Sequence, residues 1–323
     1  MMREDLLNEI TIEFEKRRTE NEREQSTRRN RIRQEYPEIE KLLKQREEIV
    51  FGTIRQIFDG KPGTENLPVK MHEMNEQIEK QLIVSGFQAD YLEPVFKCEK
   101  CHDTGYIGEL IREPCECLKK AYQQKIRERI GLDGEQNETF ETYDELLIPD
   151  ETVNGTGITQ RQLTRIARDQ CEKWANMFPD VSRRDILFTG GSGLGKTFLM
   201  RAMASRLIDR GKNVLILSAY TFLQIARKSY FDAELGIHEL MDIPVLMIDD
   251  LGSEPLMQNV TVEQLFNLLN ERQSRNLSTI LSTNLTLQEI RERYTERIAS
   301  RLNNPKHCLI LTLAGRDLRK LER

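Results

Sequence analysis

A glycine-rich segment between an apolar run and a helical run constrains the fold of this chain more than any other feature. Residues 190–197 read GGSGLGKT and match the phosphate-loop pattern G-x-x-x-x-G-K-[ST]. Residues 186–189 before it have the apolar character of a buried strand, and residues 198–203 after it have that of a helix. Glycines let successive N–H groups point into one concavity, and the helix start adds its positive dipole end. The segment therefore predicts a nucleotide-binding loop more strongly than a plain glycine-rich turn.

The chemistry of this loop assigns a role to its last residues. We expect the Lys196 ammonium to reach the β- and γ-phosphates and the Thr197 hydroxyl to bind Mg²⁺. The residues predicted to bind the nucleotide here are Gly190, Gly191, Ser192, Gly193, Leu194, Gly195, Lys196, Thr197 and Phe198.

A second apolar run, residues 243–250, ends in two acids and has the pattern of a Walker B strand. We predict that Asp249 holds Mg²⁺ through its water shell and that Asp250 orients the attacking water. Many ATPases of this kind have Glu at the second position, so the shorter Asp250 leaves the hydrolysis rate open. Solvated acids at a strand end are the alternative, and the preceding phosphate loop disfavours it.

A third apolar run, residues 277–284, ends in the amide of Asn284. In an open parallel sheet the carboxyl ends of the strands converge on the ligand, so Asn284 is predicted to bind the lytic water or the γ-phosphate. A helix cap is the other interpretation, since Thr286 and Glu289 have the spacing of a capping box.

The composition limits the class of protein. A chain of 323 residues is long enough for two domains, and its net charge of −5 with 31% charged residues indicates a soluble protein without a strongly basic surface. Any DNA contact must come from a local patch. The chain has neither a long apolar run nor an apolar signal core, so we expect a cytoplasmic protein that does not contact a membrane.

Residues 1–58 are charged, almost free of Gly and Pro, and predicted to form two or more helices, with Pro37 opening a new one. The narrow apolar stripe fits a docking arm for a partner, or a solvated helix packed on its own domain. A further helix is expected over 68–83. The apolar residues at helical spacing are Leu6, Leu7, Ile10, Phe14, Ile32, Tyr36, Ile39, Leu42, Leu43 and Ile49.

Four cysteines lie within twenty residues, in a C-x-x-C pair and a C-x-C pair. Two such pairs complete a tetrahedral Zn²⁺ site, so Cys98, Cys101, Cys115 and Cys117 are the predicted zinc ligands. Reduced cysteines without metal, or a redox pair, are the alternatives. His102 can replace one thiolate, although a surface position fits it better.

Two arginine sets follow the third apolar run. Arg297 and Arg301 lie one helical turn apart, and Arg319 follows the last apolar run. An ATPase that works between subunits needs a guanidinium from a neighbour to neutralise γ-phosphate charge, and Arg301 is the predicted finger. Arg319 is predicted to act as a sensor within its own subunit.

The order of these motifs, including MIDDLGSE, STN, ERIASRL and GRDLR, resembles that of the AAA+ helicase loaders of the bacterial DnaC/DnaI family, particularly its Firmicute DnaI-like branch. The resemblance covers residue 137 to the end and extends to the cysteine segment. It implies catalytic roles for Lys196, Asp249, Asp250, Asn284, Arg301 and Arg319. It also implies that Thr139 and Phe140 lie near adenine and that residues 220–230 contact single-stranded DNA.

Together these features predict an α/β protein. Its AAA+ P-loop ATPase domain (137–323) has a parallel sheet, and a helical partner-binding domain (1–95) and a zinc-binding segment (96–130) precede it. The resemblance implies an ATPase, with ATP, Mg²⁺ and Zn²⁺ as cofactors, that delivers a DnaB-type hexameric replicative helicase to single-stranded DNA and self-associates through its ATPase domains. A transposition helper ATPase of the IstB type and a nucleotide-binding module without hydrolysis remain as alternatives.

Overall fold

The computed structural model describes residues 2–58, 67–108, 112–130, 132, 138–153, 157–231, 237–256 and 261–320. Within these ranges, the side chains of residues 2–4, 228–231 and 238–239 are not described. The chain divides into an amino-terminal unit, Leu7–Leu118, and a carboxyl-terminal unit, Lys119–Arg323 together with Met1–Leu6. The predicted three-part division at 1–95, 96–130 and 137–323 stays a prediction.

The amino-terminal unit is largely helical. Helix α1 (Met2–Glu35) is followed directly by α2 (Pro37–Phe58), so the prediction that Pro37 opens a second helix is confirmed. Helix α3 (Leu67–Val84) matches the helix expected over 68–83. The core of these helices buries Ile32, Ile39, Leu43, Ile78 and Leu82. Much of the predicted apolar stripe therefore packs within its own unit.

A short hairpin follows, in which β1 (Tyr106–Ile107) pairs antiparallel with β2 (Glu113–Pro114). Helix α4 (Glu116–Arg129) follows the hairpin and includes Cys117. No helix among the described residues is both long and apolar enough to cross a membrane.

The carboxyl-terminal unit is built on five parallel strands in the order β4-β5-β6-β3-β7. This confirms the predicted parallel sheet. The strands are β3 (Asp185–Thr189), β4 (Val214–Ser218), β5 (Val245–Leu251), β6 (Ser278–Thr283) and β7 (Cys308–Thr312). The helices are α5 (Gln160–Met177), α6 (Lys196–Asp209), α7 (Ala219–Phe231), α8 (Ile237–Asp242), α9 (Glu263–Ser274), α10 (Leu287–Tyr294) and α11 (Glu296–Leu302).

Helices cover both faces of this sheet, because alternate residues of each strand point to opposite sides. In β5, Val245 and Met247 join a core with α5 and α6, whereas Leu246 and Ile248 join a second core with α7 to α11. All five strands run in the same direction, so their carboxyl ends share one edge of the sheet. That edge holds the predicted site residues.

The predicted extent of β5 is wrong at both ends. The strand starts at Val245 and runs through both acids to Leu251. Its register against β6 shifts between Ile248 and Leu251, and Asp250 has a φ of 59°. The acids therefore lie on a bulge inside the strand, and bulges are common beside functional sites because they redirect side chains.

A buried arginine lies at the amino-terminal ends of β5 and β6, opposite the predicted site. Arg272 is fully buried and donates to Thr279 Oγ1 at 2.9 Å and to the carbonyls of Leu240, Ile243 and Ser278 at 2.6, 2.8 and 2.5 Å. Burial is the main cause that lowers its pKa to about 10. Leu240 and Ile243 lie in and just after α8, and Ser278 and Thr279 begin β6, so this side chain of α9 joins the three elements.

Candidate nucleotide and metal sites

The glycine-rich loop ends at the start of α6, with Gly195 at the N-cap position and a φ of 90°. Within the described part of the chain, none of the backbone N–H groups from Gly191 to Thr197 donates to a protein acceptor. Unpaired N–H groups at a helix start form an anion site. The loop thus fits the phosphate groups of a nucleotide.

Two positions of the loop must be glycine because the segment after β7 packs against them. A Cβ on Gly190 (φ 132°) would lie 2.0 Å from the Leu313 carbonyl oxygen, and one on Gly193 (φ 73°) would lie 1.6 Å from Asp317 Oδ1. The Leu318 N–H also donates to the Gly193 carbonyl at 2.9 Å. The chain after β7 therefore shapes the loop, and the motif by itself did not indicate this.

Lys196 is buried beneath the loop. Its Nζ donates to the carbonyls of Gly190 and Gly191 at 2.6 and 2.7 Å and to Asn284 Oδ1 at 2.6 Å. Burial is the largest influence on its pKa and lowers it, while the charges of Asp250 and Asp249 act in the opposite direction. The ammonium is thus held at the loop by acceptors that phosphate oxygens can replace.

Hydroxyl and amide side chains connect the two acids to the loop and to Lys196. Thr197 Oγ1 donates to Asp249 Oδ2 at 2.9 Å, and Asn284 Nδ2 donates to Asp250 Oδ1 at 3.1 Å. Ser282 Oγ donates to the other oxygen of Asp249 and accepts from the Asp250 N–H at 2.9 Å. The structure therefore brings together the loop, both acids and Asn284, as the sequence predicted.

Sequence reasoning missed Ser282. It lies in β6 two residues before Asn284, which follows the strand, and the two-residue period of a strand predicts both side chains on the same side. That spacing was available as a signal, because the side containing Asn284 was already assigned to the site. The predicted capping box is also present, with Thr286 at the N-cap of α10, so Asn284 is not the cap of that helix.

Arg319 lies at the same edge, in the 3₁₀ helix Leu318–Lys320. Its Nη2 donates to Ser192 Oγ at 2.7 Å, and Asp317 holds the guanidinium at 3.1 Å. An arginine of this chain therefore contacts its own loop, and its role as a sensor stays a prediction.

Arg301 lies elsewhere. Its Nη2 donates to Asn270 Oδ1 at 2.6 Å, its Nη1 to Gln273 Oε1 at 3.4 Å, and its guanidinium carbon is 4.8 Å from the centre of the Phe266 ring. These contacts are all with α9, whereas Arg297 is exposed. The assignment of Arg301 as a finger that acts on a neighbouring subunit stays a prediction.

The residues predicted near adenine lie before α5. Phe140 is 2% exposed, and the guanidinium carbons of Arg168 and Arg206 lie 5.8 and 5.5 Å from its ring centre. Thr139 forms a hydrogen-bonded turn with Thr142. The buried ring has little surface to offer a base, and adenine contact by these residues stays a prediction.

The segment predicted to contact DNA forms α7. Tyr220 is 55% exposed and Arg227 is exposed, whereas Phe222 is 1% exposed and belongs to the core. The side chains of Lys228 and Tyr230 lie outside the described residues. Tyr220 and Arg227 are therefore available at the surface, and DNA contact by residues 220–230 stays a prediction.

The four clustered cysteines form a separate site in the amino-terminal unit. Their sulfur atoms all lie within 4.8 Å of one another, with Cys98 to Cys115 at 3.8 Å and Cys101 to Cys117 at 3.3 Å. A tetrahedral zinc with Zn–S bonds of about 2.3 Å places its sulfurs about 3.8 Å apart. The donor set therefore fits a Zn²⁺ ion.

A buried acid orders the first of the two pairs. Asp103 is 2% exposed and accepts from the N–H groups of Lys97 and Cys98 at 2.9 and 3.0 Å and from Asn21 Nδ2 at 2.8 Å. The backbone hydrogen bond from Cys101 lowers the pKa of Cys98 to about 7, which favours the thiolate that a metal binds. His102 is exposed and its ring lies on Phe96, so it is a surface residue, as expected.

Comparison with known proteins gives a family for the larger unit. Residues 151–322, more than half of the chain, match the family model described as IstB-like ATP binding protein. The replicative helicase loader DnaI of Bacillus subtilis is 31% identical over 108 residues, which are 33% of this chain and 35% of DnaI. The replicative helicase loader DnaC of Escherichia coli K12 is 26% identical over 129 residues, which are 38% of this chain and 51% of DnaC.

These matches span about a third to a half of the length of the curated relatives. Among solved structures, a crystal structure of the DnaC helicase loader is similar to 55% of this chain and 98% of its own, with 20% identity and a TM-score of 0.45.

A methyl group on Gly193 tests the contact between the loop and the carboxyl-terminal segment. Gly193→Ala displaces Asp317 and with it Arg319, at a cost of about 1–3 kcal/mol, so ATP affinity should fall about tenfold or more. Gly211→Ala is the matched control, because its φ of 72° is the same and nothing lies within 4 Å of the added carbon. Calorimetric ATP titrations that give equal affinities for the two variants would contradict this account.

Metal analysis tests the cysteine site. The purified wild-type protein should contain about one zinc per chain, and Cys115→Ser should lose most of it, because three thiolates bind zinc more weakly than four. Cys171→Ala should keep the zinc, since Cys171 is buried outside the cluster. Wild-type protein without zinc, or a Cys115→Ser variant that retains it fully, would count against the site.

Proposed function

The chain belongs to the IstB-like ATP-binding protein family, and from that premise we propose that it is an ATP-driven loader that delivers a hexameric replicative helicase to single-stranded DNA. The observation that carries the ATP-driven part is one continuous set of contacts at the loop. It runs from Thr197 to Asp249, through Ser282 to Asp250, and through Asn284 to Lys196.

Lys196, Thr197 and Asp249 of this set, together with the loop, are assigned to ATP binding. The unpaired N–H groups from Gly191 to Thr197 and the Lys196 ammonium bind the phosphates. Thr197 and Asp249, whose side-chain oxygens lie 2.9 Å apart, are the residues that would hold Mg²⁺. When bound, Mg²⁺ neutralises the charge of the phosphate oxygens.

Hydrolysis is assigned to Asp250, Asn284 and an arginine from a neighbouring copy. The carboxylate of Asp250 is exposed at the edge of the sheet and is oriented by Asn284, so it can orient a water molecule for attack on the γ-phosphorus. Arg301 is the arginine proposed to act on the site of the neighbour, and Arg319 acts within its own chain. ATP would then close one subunit on the next, and hydrolysis would release them.

The helicase is proposed to bind the amino-terminal unit. Helix α2 ends in an exposed apolar stripe in which Phe51 is 68%, Ile54 43% and Phe58 87% exposed. We call these three residues the α2 stripe; their spacing of three and four places them on one helical face. Isolated exposed apolar residues are common, but a row of large ones on one helix is typical of a protein-binding surface. The curated relatives DnaI and DnaC are named as replicative helicase loaders, which supports a helicase as the partner.

Single-stranded DNA is proposed to bind along α7. Tyr220 offers an exposed ring for stacking on a base, and Arg227 offers a charge for the phosphate backbone. A local patch of this kind is compatible with the net charge of −5, which disfavours an extensive DNA-binding surface.

A transposition helper remains the second candidate, because the family model itself has the name IstB-like. The helical amino-terminal unit and its cysteine cluster favour the loader, since both are features that the resemblance to DnaI-like loaders implied. A transposase encoded beside this protein would favour the helper.

ATP turnover with and without single-stranded DNA tests the ATP-driven part. Lys196→Ala should lower turnover about a hundredfold, because it removes the cation that stabilises the negative charge developing on the phosphates in the transition state. Lys306→Ala, an exposed lysine before β7, is the matched control and should leave turnover unchanged. Single-stranded DNA should stimulate the wild type and Lys306→Ala but not Lys196→Ala. Equal rates for the wild type and Lys196→Ala would leave a nucleotide-binding module without hydrolysis.

Co-purification with the replicative helicase of the same organism tests the docking surface. The double variant Phe51→Asp, Phe58→Asp places two charges on the α2 stripe and should weaken the complex about tenfold or more, as loss of an interface anchor does. Leu147→Asp is the control, since Leu147 is 61% exposed in the carboxyl-terminal unit. Undiminished helicase recovery with the double variant would exclude the α2 stripe as the docking site.

A further inference from the structure

A buried carboxylate lies four residues after Asp250 and has no role in the site described above. Glu254 is 1% exposed. One of its carboxylate oxygens accepts from the hydroxyl of Tyr294, which is fully buried, and the other accepts from the Gly252 N–H at 2.8 Å. Both oxygens of the carboxylate are therefore satisfied inside the protein.

The end of α10 holds Glu254 at a second point. Arg293 Nη2 donates to the main-chain carbonyl of Glu254 at 2.5 Å, so consecutive residues of α10 bind the side chain and the backbone of one residue. The loop is also packed tightly at its start, since a Cβ on Gly252 would lie 2.8 Å from Leu285 Cδ1. The segment 252–254 is thus fixed to both ends of the segment that contains α10.

This contact, which we call the Glu254–Tyr294 clasp, lies between two functional elements. On one side the segment 252–254 continues directly from Asp250. On the other side Tyr294 is the last residue of α10, and Thr295 has a φ of 131° where the chain turns into α11. The clasp therefore holds the turn between α10 and α11, and this turn sets the direction of α11, the helix that contains Arg301.

The energetics favour a positioning role over simple core packing. A buried carboxylate is expensive unless it is fully hydrogen-bonded, and an apolar pair of similar volume would serve stability equally well. A fully satisfied polar pair specifies one arrangement, because any displacement leaves a polar atom unpaired. Burial also raises the pKa of Tyr294, so its hydroxyl stays protonated and remains a donor.

We infer that Glu254 and Tyr294 are positioning residues that hold α11, and with it Arg301, in a fixed orientation relative to Asp250. The inference rests on the proposed function for the part in which Arg301 acts on a neighbouring subunit. The orientation of α11 itself can be tested independently of ATP hydrolysis.

Hydrogen exchange tests the orientation of α11 directly. Tyr294→Phe keeps the buried ring and removes the hydroxyl, so amide exchange across residues 295–302 should accelerate about tenfold, as expected from the loss of one buried hydrogen bond. Exchange in β3 and β7 should not change. Tyr143→Phe is the matched control, because the Tyr143 hydroxyl is buried without a partner among the described residues. Unchanged exchange over α11 in Tyr294→Phe would overturn the inference.

Mixing of variants tests the action on the neighbour. Tyr294→Phe alone should bind ATP with an affinity within about twofold of the wild type and hydrolyse it about tenfold more slowly. Its own catalytic residues are intact. Addition of Asp250→Asn copies, which have an inactive site but an intact α11, should therefore raise the turnover per Tyr294→Phe copy. A merely destabilising substitution would not be rescued in this way.

The outcomes separate the inference from the proposed function. Slow turnover without rescue by Asp250→Asn copies would refute the action of the clasp on the neighbour. If the wild type turned over ATP no faster than Lys196→Ala, the proposed function would fail, and the exchange experiment would still decide whether the clasp positions α11. Should Tyr294→Phe fail to fold, Glu254→Gln loses only one of the two carboxylate contacts and should shift α11 exchange in the same direction.

Discussion

The ammonium group of Lys196 is the constraint on which the rest of the site depends. Because it is buried, it needs oxygen acceptors, and it finds them in two loop carbonyls and in Asn284. The strand order makes this possible. Since β6 lies between β5 and β3, the end of β6 reaches the acids of β5 on one side and the loop after β3 on the other. Asn284 and Ser282 are therefore the bridging residues.

The loop and the end of the chain are equally interdependent. Gly193 has a left-handed conformation that disfavours a side chain, and Asp317 and Arg319 occupy the space that a side chain would need. The same segment brings Arg319 to Ser192. A turn that resembles an autonomous motif in the sequence is thus shaped by residues more than a hundred positions away.

Several elements were predictable because they depend on local patterns. The helix boundary at Pro37 follows from φ restriction, the parallel strands follow from apolar periodicity, and the clustering of the four cysteines follows from ligand spacing. Each of these acts over a few residues. One choice could not be made from the local pattern. The apolar stripe of the first helices was compatible with a partner or with its own domain, and Ile32, Ile39 and Leu43 prove to be core residues because α3 supplies the opposing surface. The exposed α2 stripe lies nearer the carboxyl end of α2 than these core residues.

The sequence by itself determined the chemistry of this protein: which residues form the phosphate loop, which acids follow it, which four thiols can bind one metal, and which family the motif order resembles. These are properties of residue type at fixed spacing. Only the tertiary structure decided what each of these groups contacts. The bulge at Asp250, the role of Ser282, the contacts of Arg301 with α9 and the Glu254–Tyr294 clasp all join residues that are 28 to 40 positions apart. No local pattern encodes such contacts, because they arise from the order in which strands and helices pack.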